Sequence, residues 1–343
     1  MKAVYFTEHG GIEVLTYGEL PDPVPGEGEV LVRVRACGVN HVDLWIRKGL
    51  PFLKLPFPFV PGVDIAGEVA GVGPGTDSLP AGTRVLVNPG VSCGRCQRCL
   101  SGWDNLCADY HLIGENLPGG DAQFVKVPAQ NLVPLPEAMP FEVGACLPAA
   151  FGTAWNMIFE KAKLEPGQWI LVHAGGSGVG SAAIQLARMV GANVITTAGS
   201  DEKVEKAKAL GAHYGINYKT HDFLHEVRRI TKKRGVDVVI EHIGEDVWER
   251  SLLCLAIGGR LVTCGATSGY LPKTDLRYVF FRNLQILGAT TGSKAWLFRI
   301  TQLVHEGKLR PVLDRVLPLK DARHAHQILE QRQQFGKVVL VPE

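Results

Sequence analysis

The stretch WILVHAGGSGVGSAAIQLARMVGANVITTAG, Trp169 to Gly199, decides the fold. WILVHA and NVITTAG are short apolar runs of strand length, and SAAIQLARMVGA between them repeats its apolar residues at helical spacing. The turn that joins the first strand to the helix is GGSGVG: Gly175, Gly176, Ser177, Gly178, Val179 and Gly180. Small residues there let the backbone approach a pyrophosphate, and the helix N-terminus adds amide donors and the positive end of a dipole. Ser177 departs from the usual G-x-G-x-x-G but still permits close approach. Downstream, the helical DEKVEKAKALGA, the strand VDVVIEHIG, the helical VWERSLLCLAIGG and the strands RLVTCGA and LQILGATTG continue the rhythm. Strands alternating with helices predict a parallel sheet with crossover helices, a doubly wound α/β domain that binds a dinucleotide.

The end of the second strand bears on which dinucleotide. An acidic residue there takes the ribose 2′-hydroxyl of NAD and repels the extra phosphate of NADP. This chain has Thr197, Ala198, Gly199 and Ser200, then Asp201, Glu202 and Lys203. Ser200 and Lys203 suit a 2′-phosphate, which favours NADP; Asp201 keeps NAD open, and Lys203 also reads as a solvated helix charge.

Upstream, from Met1 to about Pro148, short β-branched runs such as EVLVRVRACGV, DIAGEVAGVG and TRVLVNPG are broken by Gly and Pro, the pattern of half-buried strands. After about Gly292 come the helical AWLFRITQLVHEGKL and DARHAHQILEQRQQ and a last strand, GKVVLVP, expected to pack back on the first part. Within the β-rich part, CGRCQRCLSGWDNLC places Cys93, Cys96, Cys99 and Cys107 close enough to converge on one tetrahedral zinc. Four thiolates leave no open position for a substrate, so such a zinc is structural. Cys37, Cys146, Cys254 and Cys264 stand singly in apolar stretches and read as buried inert thiols.

Composition limits the partners. The 343 residues suit two domains, and a net charge of +2 with Lys and Arg spread along the chain leaves no basic stripe for nucleic acid or an anionic membrane. No apolar run of spanning length and no signal-peptide pattern is present, so a cytoplasmic protein acting on a small molecule is expected. His221, His225, His242, His324 and His326 offer no second metal set and are expected at the surface.

The order of parts resembles the medium-chain dehydrogenase/reductase superfamily, which includes zinc alcohol dehydrogenases and quinone oxidoreductases. The resemblance spans the whole chain. It implies a GroES-like catalytic domain at 1–150 with its structural zinc lobe at about 90–110, a Rossmann domain at 151–291 and a C-terminal return at 292–343. It also implies a cofactor cleft between the domains and a homodimer or homotetramer, the dimer joined edge to edge through LQILGATTG. Catalytic zinc in the alcohol dehydrogenases takes a cysteine before a His-Thr-Asp stretch, the histidine of Gly-His-Glu and a later cysteine. The matching positions here are Asn40, Val63 and Ala149, which cannot replace two thiolates and an imidazole. CGVNHVDLWIRKG, PFVPGVDIAGEV and LPAAFGTAW are instead similar to quinone oxidoreductase segments.

That likeness implies hydride transfer to or from a small carbonyl-conjugated substrate, a quinone or enone, without catalytic zinc. Asn40 is the first candidate to donate a hydrogen bond to the developing enolate, its other reading being a turn residue. His41 relays or donates a proton or meets a cofactor phosphate, or else is a satisfied buried histidine. Asp43 and Asp64 either tune the cleft or serve as caps. Trp45, Phe52 and Phe151 are expected to wall an apolar pocket or lie in the core. Thr153, Gly265 and Ala266 are expected beside the nicotinamide. Two alternatives stay open: a zinc-dependent alcohol dehydrogenase, and a non-enzymatic NADPH-binding protein.

Overall fold

A computed structural model describes residues 1–51, 53–76 and 79–343. The chain divides into unit 1, Met1–Ala149 with Ser293–Glu343, and unit 2, Ala150–Gly292. In chain order, unit 1 contains β1 (Lys2–Tyr5), β2 (Thr16–Glu19), β3 (Glu29–Gly38), α1 (His41–Lys48), β4 (Asp64–Val72), β5 (Arg84–Val87) and β6 (Gly90–Val91). It continues through α2 (Gln97–Leu100), β7 (His111–Leu112), β8 (Phe124–Pro128), β9 (Leu132–Pro134), α3 (Phe141–Gly144) and the start of α4 (Pro148–Trp155). Unit 2 holds β10 (Trp169–Val172), α5 (Gly178–Val190), β11 (Asn193–Ala198), α6 (Asp201–Ala209), β12 (Tyr214–Asn217) and α7 (Phe223–Ile230). It ends with β13 (Val236–Glu241), α8 (Trp248–Cys254), β14 (Leu255–Thr263), α9 (Leu276–Phe281) and β15 (Gln285–Gly288). The return to unit 1 supplies α10 (Ala295–His305), β16 (Leu313–Pro318), α11 (Ala322–Glu330) and β17 (Lys337–Val341).

Unit 2 is the doubly wound domain. Its six parallel strands run β12-β11-β10-β13-β14-β15, the 3-2-1-4-5-6 order whose direction reverses beside β10. Ile170, Leu171 and Val172 of β10 are wholly buried, which is why this strand reads as an unbroken apolar run. One boundary differs from the sequence reading. The residues LAIGG belong to β14, not to the preceding helix, because Leu255 pairs with Val236 across a register shift in β13.

Unit 1 is built on a mostly antiparallel sheet in which β3 pairs with β4, β8 and β17. The alternation in EVLVRVRACG turns Val30, Val32 and Val34 inward against Ile65, Val85 and Val125. The chain's last helix packs into this unit: Ala322, Ala325, Ile328 and Leu329 share a core with Val4, Phe6, Leu15 and Phe59. Each such fully buried Leu, Ile or Phe contributes about 1.5–3 kcal/mol. His326 is a correction to the surface expectation: it is wholly buried, its Nδ1 is 3.1 Å from the buried Arg47, and its pKa falls to about 3, chiefly through burial. Among the described residues no helix is long and apolar enough to cross a membrane.

Candidate active site and zinc lobe

In unit 2 the glycine-rich turn has the geometry its residues were read to need. A Cβ on Gly175 would lie 2.3 Å from Thr196 Oγ1, and one on Gly180 would lie 2.2 Å from the Ala174 carbonyl oxygen. Strand and helix therefore meet at these two points only through glycine. Ser177, the departure from the usual motif, is the N-cap of α5: its hydroxyl accepts from Gly180 N at 2.9 Å. The Ser177 hydroxyl is also 3.3 Å from His242 Nε2, at the end of β13, so the two strands at the reversal point are joined across the loop. His242, half-buried here, was expected at the surface. Behind the loop, His173 is wholly buried between the Thr197 and Ser251 hydroxyls, and burial lowers its pKa to about 3.

At the end of β11, Ser200 caps α6 by accepting from Lys203 N at 3.2 Å. The Asp201 carboxylate accepts from Asn217 Nδ2 at 2.8 Å, and a Cβ on Gly199 would lie 2.7 Å from the Tyr218 hydroxyl. Tyr218 thus stands beside Gly199, the residue before the Ser200 cap; its place in NYKT, one strand further on, gave no signal in the sequence. Thr153 is buried in α4, and Gly265 and Ala266 follow β14, with a Cβ on Gly244 only 3.2 Å from Ala266 Cα.

In unit 1 the four cysteines gather as their spacing demands. Their sulfurs lie 3.5 to 3.9 Å apart along four edges, and all four within 4.8 Å of one another. A tetrahedron of 2.3 Å Zn–S bonds has edges of about 3.8 Å, so the set fits one zinc. Backbone amides of Arg95 and Cys96, with the Cys107 thiol, pull the Cys93 thiol down to about 6, toward the thiolate a metal takes. Lys294 N donates to Asp104 beside this lobe, and its ammonium reaches Asn131 Oδ1 at 3.0 Å. The single cysteines differ: burial pushes Cys146, Cys254 and Cys264 up to about 12 and raises Cys37 as well.

The other candidates meet where β17, β3 and β4 lie side by side. Gly38 pairs with Asp64 on one flank and Val339 on the other, and this antiparallel register sets Lys337 opposite Asn40. Lys337 Nζ donates to Val39 O at 2.9 Å, Asn40 Oδ1 at 2.6 Å and Asp64 Oδ2 at 2.7 Å. Asn40 Nδ2 donates to Gly38 O at 3.0 Å and Asp64 Oδ2 at 2.9 Å, and Asp64 Oδ1 accepts from Ala149 N at 2.5 Å. Asn40 therefore has no amide hydrogen left for a substrate oxygen, and its expected donor role is corrected on that ground. Asp64 is wholly buried, and one of its oxygens meets the first turn of α4, so it acts as a cap there. Sequence reading missed Lys337, whose place in GKVVLVP looks like an ordinary strand end.

Asp43 also serves the helix: its Oδ2 accepts from Asn40 N at 2.7 Å, while Oδ1 is buried without a partner. Asp43 and the nearby Asp121 are both buried. Burial raises Asp43 well above the usual carboxylate range, with the Asp121 charge second, and burial lifts Asp121 to about 6. His41, half-buried at the start of α1, packs edge-on to Trp45 with ring centroids 6.2 Å apart. Burial, then the positive charges of Arg332 and Lys48, lowers its pKa to about 4, so the ring is neutral at pH 7. Of the other pocket candidates, Phe151 is buried and Phe52 lies outside the described residues. Asn40, Val63 and Ala149 do not suit a second zinc; among the described residues only the four cysteines bring three or more metal-ligating groups together.

Comparison with known proteins gives matches along the chain. A model described as zinc-binding dehydrogenase matches residues 178–306, and one described as alcohol dehydrogenase GroES-like domain matches residues 26–137. A solved NAD-dependent alcohol dehydrogenase is 48% identical, with a TM-score of 0.95 and 99% of both chains covered. A zinc-type alcohol dehydrogenase-like protein of Schizosaccharomyces pombe is 35% identical over 99% of each chain. The quinone oxidoreductase of Rattus norvegicus is 30% identical over 99% of this chain and 98% of its own.

Proposed function

The chain belongs to the medium-chain dehydrogenase/reductase superfamily and is an NAD(P)-dependent oxidoreductase, and from that premise we propose that it reduces an activated C=C bond of a quinone or enone without a catalytic metal. The observation that carries this reading is the saturated Asn40–Asp64–Lys337 network. A carboxylate, an amide and an ammonium bonded to one another leave no three-ligand set to polarise an alcohol oxygen. A conjugated acceptor needs less help, because its own carbonyl draws in the electron pair.

A dinucleotide held by unit 2 would supply a hydride equivalent to the conjugated acceptor, whose carbonyl oxygen would then need a hydrogen-bond donor and whose α-carbon would take its proton from water. We assign the donor at that oxygen to the neutral His41 imidazole, held at the start of α1 by Asn40 and Asp43. The Trp45 ring stands edge-on to it. Asp64 holds Ala149 at the start of α4, the helix that carries Thr153 four residues later. Gly175 to Gly180 would hold the pyrophosphate on the N-terminus of α5, and Gly265 and Ala266 would border the nicotinamide.

NADP is the preferred cofactor in this proposal. Asp201 is occupied by Asn217, while the Tyr218 hydroxyl borders Gly199 and Ser200 and Lys203 follow it in the chain, residue types suited to a 2′-phosphate. A one-zinc homodimer joined along β15 completes it: that strand pairs only with β14 among the described strands, and Leu276, Phe280 and Phe281 of the adjoining helix are exposed. The likeness to an NAD-dependent alcohol dehydrogenase at 48% identity favours a second reading, alcohol oxidation with NAD.

The test is a paired assay on purified protein. NADPH and NADH oxidation is followed with 1,4-naphthoquinone and with 2-cyclohexen-1-one, and NAD and NADP reduction with a series of primary and secondary alcohols. Turnover of the conjugated acceptors with NADPH supports the proposal; turnover of alcohols alone overturns it in favour of the second reading.

A further inference from the structure

We propose that Lys337 is the positioning residue of this site, its ammonium doing internally what a bound cation would do from outside: tying the start of α1, the start of β4 and the start of α4 to one point. The proposal rests on the function just given. Three observations carry it.

First, all three ammonium hydrogens are spent, on Val39 O, Asn40 Oδ1 and Asp64 Oδ2, so Lys337 touches no substrate and acts only through other residues. Second, the space for it is made by the backbone. A Cβ on Gly38 would lie 2.2 Å from the Ala145 carbonyl oxygen and 3.1 Å from both Asp64 Cβ and Lys337 Cε, so a side chain on the central strand would push the pair apart. Third, the pair is deep: Lys337 is 5% exposed and Asp64 0%. Removing one partner of a buried ion pair leaves the other without its counter-charge, so the two side chains stand or fall together.

The consequence for the reaction runs through Asn40. Its carbonyl oxygen is held by Lys337, its two amide hydrogens by Gly38 and Asp64, and its backbone N–H by Asp43. These four bonds fix the first residue before α1, and the next residue is His41. Loss of the ammonium takes the 2.6 Å donor from the Asn40 oxygen and lets its amide turn, which moves the His41 ring relative to the acceptor. Misplacement of this size costs roughly 10- to 100-fold in rate.

A simple ion pair and a positioning residue part company in the charge-balanced double variant. Asp64→Asn, Lys337→Met and their combination are compared with the unaltered zinc-loaded enzyme by thermal melting and by kcat and KM with NADPH and 1,4-naphthoquinone. Each single change is expected to lower Tm, and the combination to recover most of that loss, because no buried charge is left unpaired. The combined variant should nevertheless keep kcat about 10- to 100-fold down, with KM for NADPH unchanged. Selective labelling of histidine adds a readout free of turnover: the His41 ring resonances should be displaced in the combined variant. Recovery of kcat together with Tm, or His41 resonances that do not move, would overturn the proposal. If the unaltered enzyme turns over no quinone or enone, the reading of function falls, and the His41 resonances alone decide the positioning claim.

Discussion

Two places in unit 1 collect negative charge, and they answer it in opposite ways. At the lobe, four sulfurs sit 3.5 to 3.9 Å apart on short turns, near the surface apart from Cys107, and the ammonium of the neighbouring Lys294 is bonded to Asn131. At the strand junction, Asp64 is wholly buried and the chain brings its own cation, Lys337 Nζ, to 2.7 Å. The lobe has the geometry to take a zinc from outside. The junction is complete as folded, and its cation cannot leave. A metal centre suited to chemistry would need neither solution: it would need ligands that hold an ion yet leave a position open.

The comparison is broken most severely at the lobe. Cys96→Ser is expected to take bound zinc from one per chain to near zero, with loss of protection of the amides of residues 93–107 in hydrogen exchange. Structural zinc supplies about 10–16 kcal/mol in small zinc domains, so no other single change here should disturb local order as much. Lys337→Met is the matching lesion at the junction. Removing one partner of a buried pair costs about 3–5 kcal/mol, measured by urea unfolding, and zinc content should stay at one. If either lesion altered the other's readout, the two centres would not be independent.

The buried carboxylates behind the junction sharpen the contrast through pH. Asp121 has its pKa raised to about 6 by burial, above the ordinary 3.8 of an unfolded chain, with Cys37 as its hydrogen-bond partner and the Asp43 carboxyl close by. Between those values the folded state keeps a proton that the unfolded state has lost. Stability from this group therefore falls as pH rises from about 4 to about 6, by up to about 1.4 kcal/mol per unit. Asp121→Asn should flatten the pH dependence of urea unfolding across that window; an unchanged slope would place the titration elsewhere. The smallest effect is expected in unit 2. Ser177→Ala removes the N-cap of α5 and should cost about 1 kcal/mol of stability, with weaker NADPH binding by fluorescence titration.

Much of this is legible in the sequence itself. Trp169 to Gly199 displays its strand, turn and helix openly because each relies on local spacing: the buried run of β10, the small residues of the loop, the Ala-rich face of α5. The zinc lobe is legible for the same reason, its four ligands lying within fifteen residues. The junction was only half visible. Asn40, Asp43 and Asp64 stand out by likeness to known motifs, but their partner Lys337 is 273 residues from Asp64 and is delivered by sheet register. No local pattern encodes that register. The donor role expected of Asn40 failed for the same reason, since the groups that use up its amide belong to other strands. His326 was misjudged because two histidines two apart on a helix point different ways, and only packing against Arg47 shows which one is inside.

The most direct test of the whole account is metal stoichiometry in the active enzyme. Purified protein is assayed for zinc by atomic emission while its turnover of 1,4-naphthoquinone with NADPH is measured on the same sample, before and after added zinc or cobalt. The account expects one zinc per chain, turnover at that loading, and no second ion taken up when more is offered. Two ions per chain, with turnover rising as the second binds, would contradict it.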